Sequence, residues 1–499
     1  MNVRIQRLRW PGGDRIDQAF LIQALIICCL NLSLSPNAKG TQELTLEQDA
    51  NVLQSSAVME QVRQPAIRPN GAAIVERDGL DLILNKRFLP PDFDQETFDN
   101  TWQVWPKHLK RQAEKASKAE RTRLAFKRYG FTPRADEPHK PLQFVVDANG
   151  AWAMNCFACH GGSLYGSEKS YPGLPNNRIA LETLYEDLRK TKRLLKKPYG
   201  IMDVGSSLIP MGTSVGTSNA VIFGVSLMAP RDKHINLRSV YVPPIVRNHD
   251  MDAPPWWHYK MKKMIYIDGF TQKHHRALMP FMMVRQNNGP KFRSMEDDFR
   301  QVQKFIETVQ PPAYPHPIDR KMAAHGQKIF DTNCSTCHGS YGEKTIYPEL
   351  TVSLDEVETD DIRHLALSKT YRRKYGESWL ADYGKARTIA DPVGYVAPPL
   401  TGVWATAPYL HNGSVPTLRT LIKPDQRPTI WTRKRDGYDD RNGGLVIKVV
   451  EKMPEGITSS EKRMYFDTRK YGKKNSGHDF GKDLSRLQVD QLIEYLKTL

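Results

Sequence analysis

Two copies of one five-residue pattern, Cys156-Phe157-Ala158-Cys159-His160 and Cys334-Ser335-Thr336-Cys337-His338, carry the chemistry that can be read from this chain. Two thiols three residues apart can add to the two vinyl groups along one edge of a haem, and the imidazole next in sequence then reaches the iron from below. Each copy reads as a site of covalent c-type haem attachment. Cys156, Cys159, Cys334 and Cys337 would form the thioethers, and His160 and His338 the first axial bonds. A Cys-x-x-Cys pair alone would read equally as a disulfide, a redox dithiol or half of a zinc site. The His that follows in both copies argues against all three. The motifs use four of the six cysteines, leaving Cys28 and Cys29 in an apolar run without an obvious partner. The expected cofactors are two covalently bound c-type haems, each with its iron.

The elements that must hold these motifs are mainly helical. Phe98, Trp102, Trp105 and Leu109 share one face of a run from Asp94 to Tyr129, and Ile179, Leu181, Leu184 and Leu188 recur near the 3.6-residue period in Asn177 to Leu195. Asp147-Ala148-Asn149-Gly150 is a turn that delivers the first motif. Residues 41 to 95 read as irregular, and Gly- and Ser-rich Gly205 to Gly224 as loop, since no Gly-Lys-Ser/Thr accompanies it to suggest a phosphate cradle. Pro311, Pro312, Pro315 and Pro317 make a stiff stretch taken as a domain boundary. Beyond it, Met322 to Phe330 predicts a short helix entering the second motif. A closing helix is signalled by Ser485 as N-cap, Gln488 as capping-box partner and Leu484 against Val489 as staple. The expected fold class is mainly α, with two cytochrome c-like haem domains, extensive loops and little strand. The divisions are 1–40, a signal peptide or N-terminal anchor; 41–310, the first haem domain with wrapping segments; and 311–499, a C-terminal cytochrome c domain.

At 499 residues with 39% hydrophobic content there is ample material for buried cores. Arg4, Arg7, Arg9 and Arg15 precede the apolar stretch Ala19 to Leu34, the order of a secretory signal or a short membrane anchor. Covalent haem attachment takes place outside the bacterial cytoplasmic membrane, so both lines point to a periplasmic or secreted protein, with membrane association, if any, through the N-terminus. The net charge of +17 is concentrated in Lys107 to Arg128 and Arg189 to Lys197. These read as solvated helical faces, partly offset by haem propionates, rather than as a nucleic-acid surface. A redox partner protein, or a small-molecule oxidant and substrate, is the expected partner.

The second half resembles the dihaem cytochrome c peroxidase superfamily through the Cys334 to His338 motif, Ala407-Pro408-Tyr409-Leu410-His411-Asn412-Gly413-Ser414 and the closing helix. Within that group it is most similar to rubber oxygenase-like dihaem cytochromes, on the longer stretch Pro399 to Leu418, on Gly477-His478-Asp479-Phe480-Gly481 and on Asp252-Ala253-Pro254-Pro255-Trp256-Trp257. Dihaem peroxidases usually offer a releasable His shortly after the first motif, and here none occurs between His160 and His234. The usual Met ligand of the second haem is also not evident, and His478 stands near the matching place. His478 is therefore the expected second ligand of haem two, with His411 and Met453 as rivals; His411 is expected to shape the haem pocket. A second imidazole favours a lower potential than Met would. At haem one His160 is expected to be the only protein ligand, with Trp256 and Trp257 as an apolar distal roof and Met211 as a candidate closing ligand.

Two functions follow. An oxidoreductase would activate dioxygen or peroxide at haem one and pass electrons through haem two. A dihaem electron carrier would use both haems as relays without substrate chemistry. A third and weaker reading is a cytochrome that senses a gas at haem one.

Overall fold

The computed structural model describes residues 72–165, 167–238 and 249–499. They belong to one compact unit, Gln61–Leu499, and the N-terminal segment with Cys28 and Cys29 lies outside them. Among the described residues no helix is long and apolar enough to cross a membrane. The architecture is mainly α, with small antiparallel sheets set between helices.

The second motif hangs on a pair of crossed helices. Asp319 starts Arg320–Asn333 by accepting hydrogen bonds from the backbone N–H groups of Lys321 and Met322 at 2.9 and 3.0 Å. The capping box of Ser485 and Gln488 opens Arg486–Leu496, as expected. Val489, Leu492, Ile493 and Leu496 are buried in a cluster with Phe330 and Tyr495, each apolar side chain contributing about 1.5–3 kcal/mol. The helices cross at Gly326, where a Cβ would lie 2.0 Å from the Gln491 carbonyl oxygen. Only glycine permits this approach.

In the first half Ala72–Asn85 is helical and crosses Glu296–Thr308 at Gly79, where a Cβ would meet Gln301 O and Phe305 Cβ at 2.5 Å. This corrects the irregular reading of 41–95 over its last part: Ile83 is fully buried, with Leu80, Leu82 and Leu84 packed against its cluster. The helical run from Asp94 to Tyr129 is broken into Gln95–Asp99, a 3₁₀ turn Thr101–Val104, Lys107–Glu114 and Lys118–Tyr129. Pro106 and Ser117 make the breaks. Proline lacks the N–H an uninterrupted helix needs, and Ser117 forms a capping box with Glu120 that starts a new helix. The helix expected from Asn177 begins later and spans Leu181–Leu194.

The segment read as loop from Gly205 to Gly224 holds the end of Ile201–Leu208 and the start of Ala220–Met228. Tertiary partners outweigh the glycine propensity there. Asp203 accepts from the Gly200 N–H at 2.6 Å and pairs with Lys192, and Arg189 bonds Ser206.

The first motif follows a three-stranded sheet in which Ala151–Met154 lies between Phe93–Asp94 and Phe144–Val146. A second three-stranded sheet pairs Ile430–Asp439 with Gly444–Val449 and Tyr465–Asp467. The proline stretch after residue 310 is tied down, with the Trp404 indole donating to Pro312 O at 3.1 Å and Tyr314 packed edge-on against Trp404.

Candidate haem-binding sites

Each attachment motif is a single helical turn, Phe157–His160 in one half and Ser335–His338 in the other. All four thiols are free and half-buried, not joined as disulfides. Burial pushes the Cys156 thiol up to about 12 and the Cys334 thiol to about 11.

The two motif histidines are oriented in the same way. His160 Nδ1 lies 3.0 Å from the carbonyl oxygen of Pro254, and His338 Nδ1 lies 2.8 Å from that of Pro398. A carbonyl can only accept, so Nδ1 carries the proton and Nε2 keeps a free lone pair, the state an imidazole needs to bind iron. Burial keeps both rings neutral, His160 falling to about 4 and His338 also below its ordinary value. Both acceptors are the middle residue of the same tripeptide, Ala253-Pro254-Pro255 and Ala397-Pro398-Pro399. A residue before proline is held extended, which keeps its carbonyl out of helical bonding. Tyr347 donates to Ala397 O at 2.7 Å, and Tyr341 accepts from Leu400 N while donating to His338 O. The Pro398 carbonyl is thereby fixed from both sides.

Above His338 stands His478, their ring centroids 6.1 Å apart and their planes at 58°. Imidazoles bound to opposite faces of one metal ion put their centroids about 6.3 Å apart when each metal–nitrogen bond is about 2.0 Å. The pair thus fits one iron between them. His478 is delivered by a left-handed turn, with Gly477 at φ 75° and His478 at φ 56°; the second is strained for a residue with a side chain, a common mark of a functional position. The His478 N–H donates to Val357 O at 2.7 Å, and Arg427 Nη1 donates to the carbonyls of Asn475 and Gly477 at 2.5 and 2.7 Å. Burial, with His338 nearby, lowers His478 to about 3. His411 packs its ring on Tyr395 at 4.8 Å, and its carbonyl accepts the Asp252 N–H at 2.9 Å. Met453 is half-buried in the segment after Gly444–Val449.

At the first site the expected distal roof is Trp256 and Trp257. The Trp256 ring lies stacked beside His160, with centroids 5.1 Å apart and planes at 29°. Rings 5.1 Å apart are closer than the about 6.3 Å that a metal ion held between two rings requires, so Trp256 packs beside the ligand. Trp257 is fully buried and donates its indole N–H to Thr401 O at 2.7 Å, joining the halves. Met211 is buried in an aromatic cluster with Trp152, Tyr129 and Tyr185, which is core packing. Asp252 escaped the sequence reading as a site residue: its Oδ1 is buried without a partner, and burial raises its carboxyl well above the usual range. The repeated Ala-Pro-Pro was the signal that could have located both carbonyl acceptors.

Part of each basic segment is paired locally. Lys118 pairs with Asp99, Arg128 with Asp187, Lys190 with Glu186 and Lys197 with Asp94 and Glu96.

Crossed helices holding a Cys-x-x-Cys-His turn, with an imidazole held ready for iron, define a c-type cytochrome. The cytochrome c family matches residues 323–391, and the family described as RoxA-like, cytochrome c-like matches residues 394–432. The chain is 32% identical over 75 residues to cytochrome c6 of Cyanidioschyzon merolae, covering 15% of this chain and 70% of that protein. It is 35% identical over 231 residues to the protein y4iM of Sinorhizobium fredii (40% of this chain, 53% of the relative). To y4iJ of the same organism it is 26% identical over 259 residues (38% and 41%). The chain spans about half the length of these two relatives. It belongs to the c-type cytochromes, the class that holds haem through Cys-x-x-Cys-His, and its short stretch 394–432 is similar to the RoxA-like cytochromes.

Proposed function

We propose that the chain carries two haems of unequal coordination and is an oxidoreductase that activates dioxygen or peroxide at haem one, supplied with electrons through haem two. In this reading the rubber oxygenase-like chain works as the dihaem peroxidases do. What supports it most is the different company of the two motif histidines: His338 has His478 opposite it, whereas His160 has Trp256 beside it. Cys156 and Cys159 hold haem one, with His160 below its iron; Cys334 and Cys337 hold haem two, with His338 and His478 on either face. An iron gripped on both faces exchanges electrons, and one gripped from below can take an exogenous ligand. The haem, when bound, supplies the redox chemistry. The protein keeps each Nε2 unprotonated, fixes ring orientation through Pro254 and Pro398, and surrounds the first site with buried aromatic groups. Attachment of this kind, with the basic and apolar order of residues 1–40, goes with export to the periplasm or beyond.

The test is the mass and spectrum of protein made in a host competent for haem attachment. Two haem masses that survive acid acetone are expected, with one low-spin bis-imidazole signal and one distinct signal. A single haem mass, or two identical low-spin haems that bind no ligand in any redox state, would leave an electron carrier as the function.

A further inference from the structure

Two arginines share one carboxylate in the interior. Arg363 Nη2 donates to Asp268 Oδ1 at 3.0 Å and Arg372 Nη2 to Oδ2 at 2.6 Å, all three side chains at 0–2% exposure. Two cations against one anion leave a surplus positive charge in a dry setting, which is costly unless another anion offsets it. Arg372 spends its remaining N–H groups on the carbonyls of Leu367 and Ile389. Arg363 Nη1 is buried without any partner.

The same place gathers other unpartnered nitrogens. Among the described residues His249 is fully buried with no hydrogen-bond partner for either ring nitrogen, and His411 Nε2 is also buried and unpartnered. Tyr395 joins them, packing on His411 and donating to Asp360 O at 2.8 Å, and Lys473-Lys474 bridges Asp250, next to His249, to Asp360, close in sequence to Arg363. Buried polar groups in folded proteins are nearly always satisfied, so Arg363 Nη1 together with the one N–H that each neutral imidazole carries is suited to an anion with several acceptor positions. The oxygens of the carboxylates in this region accept from other groups: Asp360 from the N–H groups of Ile362 and Lys474, and Asp250 from Lys473, Thr213 and Thr217.

The cluster lies against the second attachment site. The His411 ring packs on Tyr395, which shares an apolar cluster with Val352, Val357, Ala397 and Cys337. On its other side the His411 carbonyl is bonded by Asp252, whose charge acts on Cys159. We propose that Arg363, His249 and His411 form a buried cradle for a haem propionate. The inference rests on the two-haem reading above. A propionate is the carboxylate each attached haem brings, and both sources border the cluster, with Tyr395 favouring haem two. The cradle neutralises the propionate beside the iron and so holds that haem's potential up; removing a cation or donor stabilises the ferric state.

The experiment is a redox titration of the intact holoprotein, followed by absorption and paramagnetic resonance so that each haem is tracked separately, for Arg363→Gln, His249→Phe and His249→Gln. The haem count by mass is taken first, which separates failure of the two-haem reading from failure of the cradle. Expected is a lower midpoint potential for one haem in Arg363→Gln and His249→Phe, smaller in His249→Gln, which keeps a donor. A shift of the low-spin bis-imidazole haem assigns the propionate to haem two, and a shift of the ligand-binding haem assigns it to haem one. Unchanged midpoints in fully loaded His249→Phe, or equal shifts of both haems in every variant, overturn the proposal. Should Arg363→Gln fail to fold because Asp268 loses a partner, His249→Phe decides, since that ring makes no hydrogen bond among the described residues.

Discussion

His338 and His478 face one another across a gap that one metal ion would fit, their ring centroids 6.1 Å apart. The first belongs to the attachment motif, and the second arrives on a left-handed turn clamped by Arg427. His478→Ala should therefore convert haem two from low-spin to high-spin and let it bind carbon monoxide. His411→Ala should leave the low-spin signal in place. Paramagnetic resonance of the two variants reads the difference, and the reverse pattern would return the axial role to His411.

At haem one we expect an exchangeable sixth position. The reduced protein should take up about one carbon monoxide per two haems, measured by optical titration. Trp256→Phe should preserve that stoichiometry while altering the spectrum of the His160-ligated haem, because the indole touches the ligand and does not block the opposite face. A rise to two bound per protein on this substitution would place Trp256 elsewhere.

The crossing at Gly326 gives a stability prediction with an internal control. Gly326→Ala puts a methyl 2.0 Å from Gln491 O and should cost about 1–3 kcal/mol. Gly224→Ala, inside the Ala220–Met228 helix with nothing within 4 Å of the new methyl, should gain about 0.5–1 kcal/mol. Equilibrium denaturation of the holoprotein distinguishes them by sign.

Acid should destabilise the protein partly through Asp250. Burial opposes its ionisation, yet Lys473 at 3.1 Å and the bonds from Thr213 hold its carboxyl below the ordinary value of 3.8. A carboxylate depressed in the folded state adds stability above its unfolded value and loses it as pH falls through the folded one. The loss thus lies below about pH 4. Asp250→Asn should cost about 3–5 kcal/mol near neutrality, because it strands a buried Lys473, and should flatten the acid limb of the stability profile.

Much of the second site could be read from sequence because its parts are local: the motif, the capping box at Ser485 and the Gly477-His478 turn each announce themselves within a few residues. The first site could not. Trp256 stacks beside His160 because residues 249–258 run back beneath the motif, and the Ala-Pro-Pro run that does the positioning looks like a linker in isolation. Helices at Ile201–Leu208 and Ala220–Met228 were hidden by glycine and serine, whose unfavourable propensities are offset by partners distant in sequence, such as Arg189 on Ser206. His249, Arg363 and Asp268 show no spacing that would join them; only the fold does.

The crossed helices also bear on the order of assembly. The Asp319 N–H, at the head of the helix that leads into the second motif, donates to Glu494, 175 residues farther along. Contacts so remote form late, because the long intervening loop must first close. During export and synthesis the Cys334 to His338 turn would therefore stand without its covering helix until residues 486–496 emerge, an interval in which the maturation machinery can reach both thiols. Swift docking of that helix would then seal the product. The close approach at Gly326 thus ties the second attachment turn to a helix far along the chain.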